Sequence, residues 1–149
     1  MSQMLLFAES SAEAAAPLLD ALAATVPRDQ IVHCRTAGAA LDCLFRRGSH
    51  AGRPPQERPD VVFLDLDPTF AKALALLHDI RANENTRLLP VVLLTATANQ
   101  EQMCAAVAAG ANSLVRKPAE LSRYAATLTQ IAGYWLDLNV PPPLPHVPQ

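Results

Sequence analysis

No apolar run in this 149-residue chain reaches the ~18 residues that a membrane-crossing helix needs. The short apolar stretch at residues 4–8 has no basic region before it and no small-residue cleavage pattern after it. No export signal is therefore read, and a cytoplasmic protein is expected. Glycine is scarce. Gly38, Gly48, Gly52, Gly110 and Gly133 spell neither G-x-G-x-x-G nor a P-loop, which argues against a nucleotide- or flavin-binding enzyme. Cysteine is limited to Cys34, Cys43 and Cys104, an odd number without metal-ligand spacing, and His33, His50, His78 and His146 are equally scattered. A zinc site is not expected, and the cysteines read as reduced, partly buried thiols, with Cys104 a packing residue. Neither sign of charge dominates. A net charge of -2 gives no reason to expect nucleic acid or an anionic membrane as partner. Nor does any Ser-His-Asp or Cys-His arrangement suggest covalent hydrolysis.

Hydrophobic residues, by contrast, make up 50% of the chain and charged residues 17%, which is the composition of an ordered domain. The length suits one domain, placed at residues 1–138. A tail at residues 139–149 carries five prolines and is expected to be extended.

Strand-length apolar runs alternate with helical patterns. Residues 4–8, 31–34, 59–66, 90–95 and 113–115 read as strands; all but the second are nearly continuous in apolarity. Such runs suit parallel strands covered on both faces. The intervening helices are expected to begin with a capping box at Ser10 and Glu13 and at Thr36. They are expected to end at Gly48 and Gly110, where a left-handed residue is needed. Leu74, Leu77 and Ile80 form the apolar stripe of the third helix, and the last helix is expected from Glu120 to about Leu138. Five alternations imply an α/β fold with a five-stranded parallel sheet and right-handed crossovers.

The strand ends then share one rim. Glu9, Asp65, Asp67, Thr95 and Lys117 fall there, where open α/β sheets bind ligands. Asp65 and Glu9 could hold a hard divalent cation such as Mg²⁺, leaving positions for phosphate oxygens and water. Lys117 is a compact charge suited to a phosphoryl oxygen, and Thr95 could donate a hydrogen bond to another. A carboxylate can itself be the nucleophile.

Four segments carry a resemblance. They are Leu5-Leu6-Phe7-Ala8-Glu9-Ser10, Pro59-Asp60-Val61-Val62-Phe63-Leu64-Asp65-Leu66, Pro90-Val91-Val92-Leu93-Leu94-Thr95-Ala96 and Gly110-Ala111-Asn112-Ser113-Leu114-Val115-Arg116-Lys117-Pro118. In this order and spacing they make residues 3 to 132 resemble a response-regulator receiver domain. The resemblance implies a flavodoxin-like, doubly wound sheet of order 2-1-3-4-5. It implies that Asp65 accepts a phosphoryl group from a sensor histidine kinase, that Thr95 is the switch hydroxyl, and that Lys117 binds the phosphoryl group. It further implies Mg²⁺ held by Glu9, Asp65 and the backbone carbonyl of Asp67, in a two-component signalling protein that is not a turnover enzyme.

Residues 40–48 and 134–138 resemble the stand-alone receivers paired with bacterial phytochrome kinases. That likeness implies a homodimer through the last helix and its extension, and no DNA-binding segment. Two positions depart from the family. Ala8-Glu9 replaces an acidic pair, which removes one carboxylate and weakens the expected Mg²⁺ affinity. Leu114 stands where many receivers carry an aromatic switch residue. These departures keep open an alternative, a degenerate receiver that binds or dimerises without being phosphorylated.

Overall fold

The computed structural model describes residues 3–54, 58–66, 70–97 and 99–142. Strands β1 (Leu5–Glu9), β2 (Ile31–Cys34), β3 (Val61–Asp65), β4 (Val91–Thr95) and β5 (Ser113–Arg116) alternate with helices α1 (Ala12–Leu22), α2 (Ala37–Leu44), α3 (Phe70–Ala82), α4 (Gln100–Ala109) and α5 (Leu121–Gly133). The strands form one parallel sheet, as the sequence pattern implied, in the order β2-β1-β3-β4-β5 that the resemblance implied. Among the described residues no helix is long and apolar enough to cross a membrane.

Every side chain of β1, β3 and β4 is buried, because helices cover both faces of the sheet. Strand periodicity divides them. Leu5, Phe7, Val61, Phe63, Val92 and Leu94 face one core with Leu18 and Leu22 of α1 and Tyr124 and Leu128 of α5. Leu6, Ala8, Val62, Leu64, Val91 and Leu93 face the other, against α2, α3 and Ala106 of α4. Each fully buried Leu or Phe side chain contributes about 1.5–3 kcal/mol over leaving it in water. This parity fixes which helix each strand end can meet.

Several local expectations are corrected. Ser11, not Ser10, caps α1, its hydroxyl accepting the Ala14 N–H at 3.2 Å, while its own backbone N–H donates to Glu9 Oε1 at 2.9 Å. Pro17 lies inside α1. Helix α2 is capped by Thr36 as expected. It ends at Leu44, short of Gly48, and Arg46 takes the first left-handed conformation (φ 55°) with Gly48 the second (φ 56°). In α3 the buried stripe is Ala73, Leu76, Leu77 and Ile80, with Leu74 only partly covered. Helix α4 does end at Gly110, left-handed at φ 100°. A Cβ there would come within 3.0 Å of Arg81, so glycine is required for both conformation and space.

Cys104 is exposed, unlike buried Cys34 and Cys43. Helix α4 buries only Ala106 and turns Met103, Cys104 and Val107 outward. The last helix reaches Leu138 as expected, but its end, Tyr134–Leu138, is a wider π-helical turn. There Trp135 packs against the α1–α5 core, its ring stacked on that of half-exposed Tyr134. The Gln3 side-chain amide donates to the Leu136 carbonyl, and the Asn139 N–H closes the turn onto the Tyr134 carbonyl at 2.7 Å. Most of the proline tail lies outside the described residues.

Candidate functional site

Glu9 and Asp65 are the last residues of β1 and β3 and stand opposite each other in the ladder. Asp65 has the parity of Val61 and Phe63, so its side chain enters the α1–α5 side of the sheet. It is 1% exposed. A carboxylate so deeply buried needs strong partners, and it has them. Lys117, just past β5, places its ammonium 2.9 Å from Asp65 Oδ2 and 3.1 Å from Oδ1. Lys117 has the parity of Val115, which packs on the same core. Its backbone N–H donates to the Thr95 carbonyl at 2.8 Å, extending the β4–β5 ladder to the site.

A residue missed by sequence reasoning completes the cluster. The Tyr124 hydroxyl donates to Asp65 Oδ2 at 2.5 Å, and the Lys117 ammonium sits 5.2 Å from the centre of the Tyr124 ring. Tyr124 leads the inward stripe Tyr124, Leu128, Ala132 of α5. That stripe is a sequence signal: the shared parity of Asp65 with Phe63 aims the carboxylate at whichever residue heads it.

Glu9 is also buried, at 3% exposure. Its Oε1 accepts the Ser11 N–H at 2.9 Å. Its Oε2 is buried without a hydrogen-bond partner among the described residues. Burial first, and then the neighbouring Asp65, push the Glu9 carboxyl up to about 8, against the opposing pull of the Ser11 N–H and Lys117. Two carboxyl groups side by side, one with an orphaned buried oxygen, are a donor set that a hard cation satisfies by displacing the Glu9 proton. The residues therefore fit Mg²⁺ through Glu9 and Asp65. No group of three or more His, Cys, Asp or Glu is assembled for a metal among the described residues. Asp67 lies outside them, so its carbonyl role stays an expectation.

Thr95 is at the rim and 1% exposed, yet its hydroxyl is not turned to Asp65. It donates to the Thr97 carbonyl at 3.0 Å and receives the Thr97 N–H at 3.3 Å. The parity of Thr95 is that of Val91 and Leu93, which pack toward α2, α3 and α4. Ala8 is fully buried in that same core, and Leu114 packs against it.

A parallel sheet of this order, with paired carboxylates and a lysine at its carboxyl rim, defines a receiver-type signalling domain. Residues 22–129 match the response regulator receiver domain family, and the chain belongs to it. It is 32% identical over 108 residues to the "Probable methanogenesis regulatory protein FilR2" of Methanothrix harundinacea, covering 72% of this chain and 67% of that protein. It is 25% identical to the response regulator Rcp1 of Synechocystis over 72% of this chain and 71% of the relative. The crystal structure of the phosphorylated cyanobacterial phytochrome response regulator RcpA superposes with a TM-score of 0.82 at 26% identity, covering 96% of this chain and 100% of that one. The protein is thus a response regulator of two-component signalling. Receiver domains of this family bind Mg²⁺ at an acidic pocket, work with histidine kinases, and are in general signalling proteins without turnover.

Proposed function

We propose that Asp65 is the phosphoacceptor, taking a phosphoryl group from a sensor histidine kinase in the cytoplasm. The observation that carries this reading is the buried Asp65 carboxylate, gripped on both oxygens by Lys117 and flanked by the unpartnered oxygen of Glu9. An Asp65 oxygen would bond to phosphorus as the phosphorus–nitrogen bond of a phosphohistidine breaks. The electron pair leaves with the imidazole nitrogen, which regains a proton, and no oxidation is involved. Lys117 is placed to move from the carboxylate to a phosphoryl oxygen, and Thr95 to release Thr97 and donate to another. Glu9 and Asp65 would hold Mg²⁺, with the Asp67 carbonyl as the further ligand that the resemblance implies. When bound, Mg²⁺ supplies neutralisation of the phosphoryl charge. With Ala8 contributing no carboxylate, its affinity is expected to be weak.

The relative RcpA is a phytochrome response regulator, which supports a phytochrome-type kinase as the donor. Exposed Leu121, Tyr134, Leu138 and Val140 on α5 and its extension support a homodimer formed there. The test is exposure to a small N-phosphoryl donor with and without Mg²⁺, followed by intact mass. A gain of about 80 Da, one phosphoryl group, is expected, dependent on Mg²⁺ and lost in Asp65→Asn. No gain at any Mg²⁺ concentration would leave a binding and dimerisation module as the reading. A gain retained in Asp65→Asn would move the acceptor elsewhere.

A further inference from the structure

We propose that Tyr124 is a latch on the acceptor carboxylate, one that restrains phosphorylation of this receiver. The inference rests on Asp65 being the phosphoacceptor. Asp65 Oδ2 accepts a hydrogen bond from the Tyr124 hydroxyl at 2.5 Å and is ion-paired with the Lys117 ammonium at 2.9 Å, which donates to Oδ1 at 3.1 Å. Tyr124 is 2% exposed and belongs to the α1–α5 core, so its ring is held in place by packing. Its hydroxyl approaches from the helix side of the sheet, while Glu9 approaches from the neighbouring strand.

The direction of the effect follows from charge. An anionic carboxylate oxygen accepts a hydrogen bond more strongly than an ester oxygen does. In the transfer, an Asp65 oxygen forms a bond to phosphorus as the donor's phosphorus–nitrogen bond breaks. The electron pair and a proton end on the leaving nitrogen, and the carboxylate charge is consumed. A phenol bound to that carboxylate therefore stabilises the resting state more than the transition state or the acyl phosphate. Lys117 differs, because its full charge can follow the negative charge onto the phosphoryl oxygens. The Tyr124 phenol is neutral, and its ring is anchored in the core. It also holds Lys117, whose ammonium lies 5.2 Å from the ring centre, so the latch has two grips on the resting site.

The test is Tyr124→Phe, which keeps the ring and removes the hydroxyl. The full chain is treated with a small N-phosphoryl donor at fixed Mg²⁺, and the adduct is followed by intact mass. The variant is expected to gain the phosphoryl group about tenfold faster, the scale of one hydrogen bond to a charged group, with a larger phosphorylated fraction at steady state. Thermal melts of Tyr124→Phe, Asp65→Asn and the double variant supply a second readout. The hydroxyl deletion is expected to lower the midpoint less when residue 65 is asparagine, which a purely packing role would not produce. An unchanged or slower reaction in the variant, with the native chain still modified, overturns the latch alone. Additive melts overturn the hydrogen bond on which it depends. A native chain that never gains the group overturns the phosphoacceptor reading and the latch with it.

Discussion

Cys34 and Cys43 share the core on the α2–α3 side of the sheet, whereas Cys104 faces outward from α4. Burial, and then the neighbouring Cys43, push the Cys34 thiol up to about 12, and burial raises Cys43 as well. A raised thiol pKa means less thiolate at a given pH and slower reaction. At pH 8 an aromatic disulfide reagent is expected to titrate one thiol rapidly in the native protein and all three of the chain's cysteines in denaturant. Rapid reaction of more than one native thiol would contradict the burial. A folded-state pKa above the unfolded value favours the protonated folded form. That contribution is complete below the unfolded thiol pKa of about 8.5 and is lost as pH rises through it toward the folded value. Cysteine is generally a buried residue type, which holds for two of these positions. It misleads at Cys104 because the sequence of α4, rich in small residues, does not mark which side packs. Asp65 and Lys117 were legible because strand ends can be counted from apolar runs. Tyr124 was not, since a tyrosine heading an apolar helix stripe reads as packing until the parity of Asp65 is set against it.

The last turn of helix α3 carries an arginine that ties together elements far apart in sequence. Arg81 Nε donates to the Gly110 carbonyl at 3.0 Å, and Nη1 to the carbonyls of Leu89 at 2.7 Å and Arg87 at 3.0 Å. Its Nη2 donates at 2.8 Å to Asn112 Oδ1, which also accepts the Val91 N–H at 2.8 Å. One planar fork thereby serves the end of α4, the turn before β4 and the entry to β5. Arg81→Met is expected to destabilise the fold by about 3 kcal/mol, since several carbonyls lose a charged donor at once. Arg81→Lys is expected to recover little of it, because a single ammonium cannot reproduce the fork. Urea denaturation measures both; a loss below about 0.5 kcal/mol, the range of ordinary surface substitutions, would contradict this role. Residues 83–87 are a polar run after α3. The pattern marks solvent, and it carries no sign of a side chain that returns to bind the turn. Strands β1, β3 and β4 were legible for the opposite reason, since burial on both faces leaves an unbroken apolar run.

The parallel sheet followed from alternation and its order from the family resemblance, and that order brings Glu9, Asp65 and Lys117 together at one rim. Self-association lies beyond one chain. Leu138 and Val140 are 78% and 88% exposed, on the extension that resembles the dimerising receivers. Sedimentation is expected to give a dimer at micromolar concentration, with Leu138→Glu shifting it to monomer while the monomer's melting midpoint is unchanged. A native monomer at 100 times that concentration would remove the proposed interface. The tie between the Gln3 amide and the Leu136 carbonyl has a mechanical consequence. It places the start of β1 beside the end of α5, at the pole opposite Asp65. A pulling force applied between residues 3 and 139 would therefore act on two neighbouring points at one pole, and it is expected to part the start of β1 from the end of α5 first, before the hydrogen bonds of the parallel strands share the load.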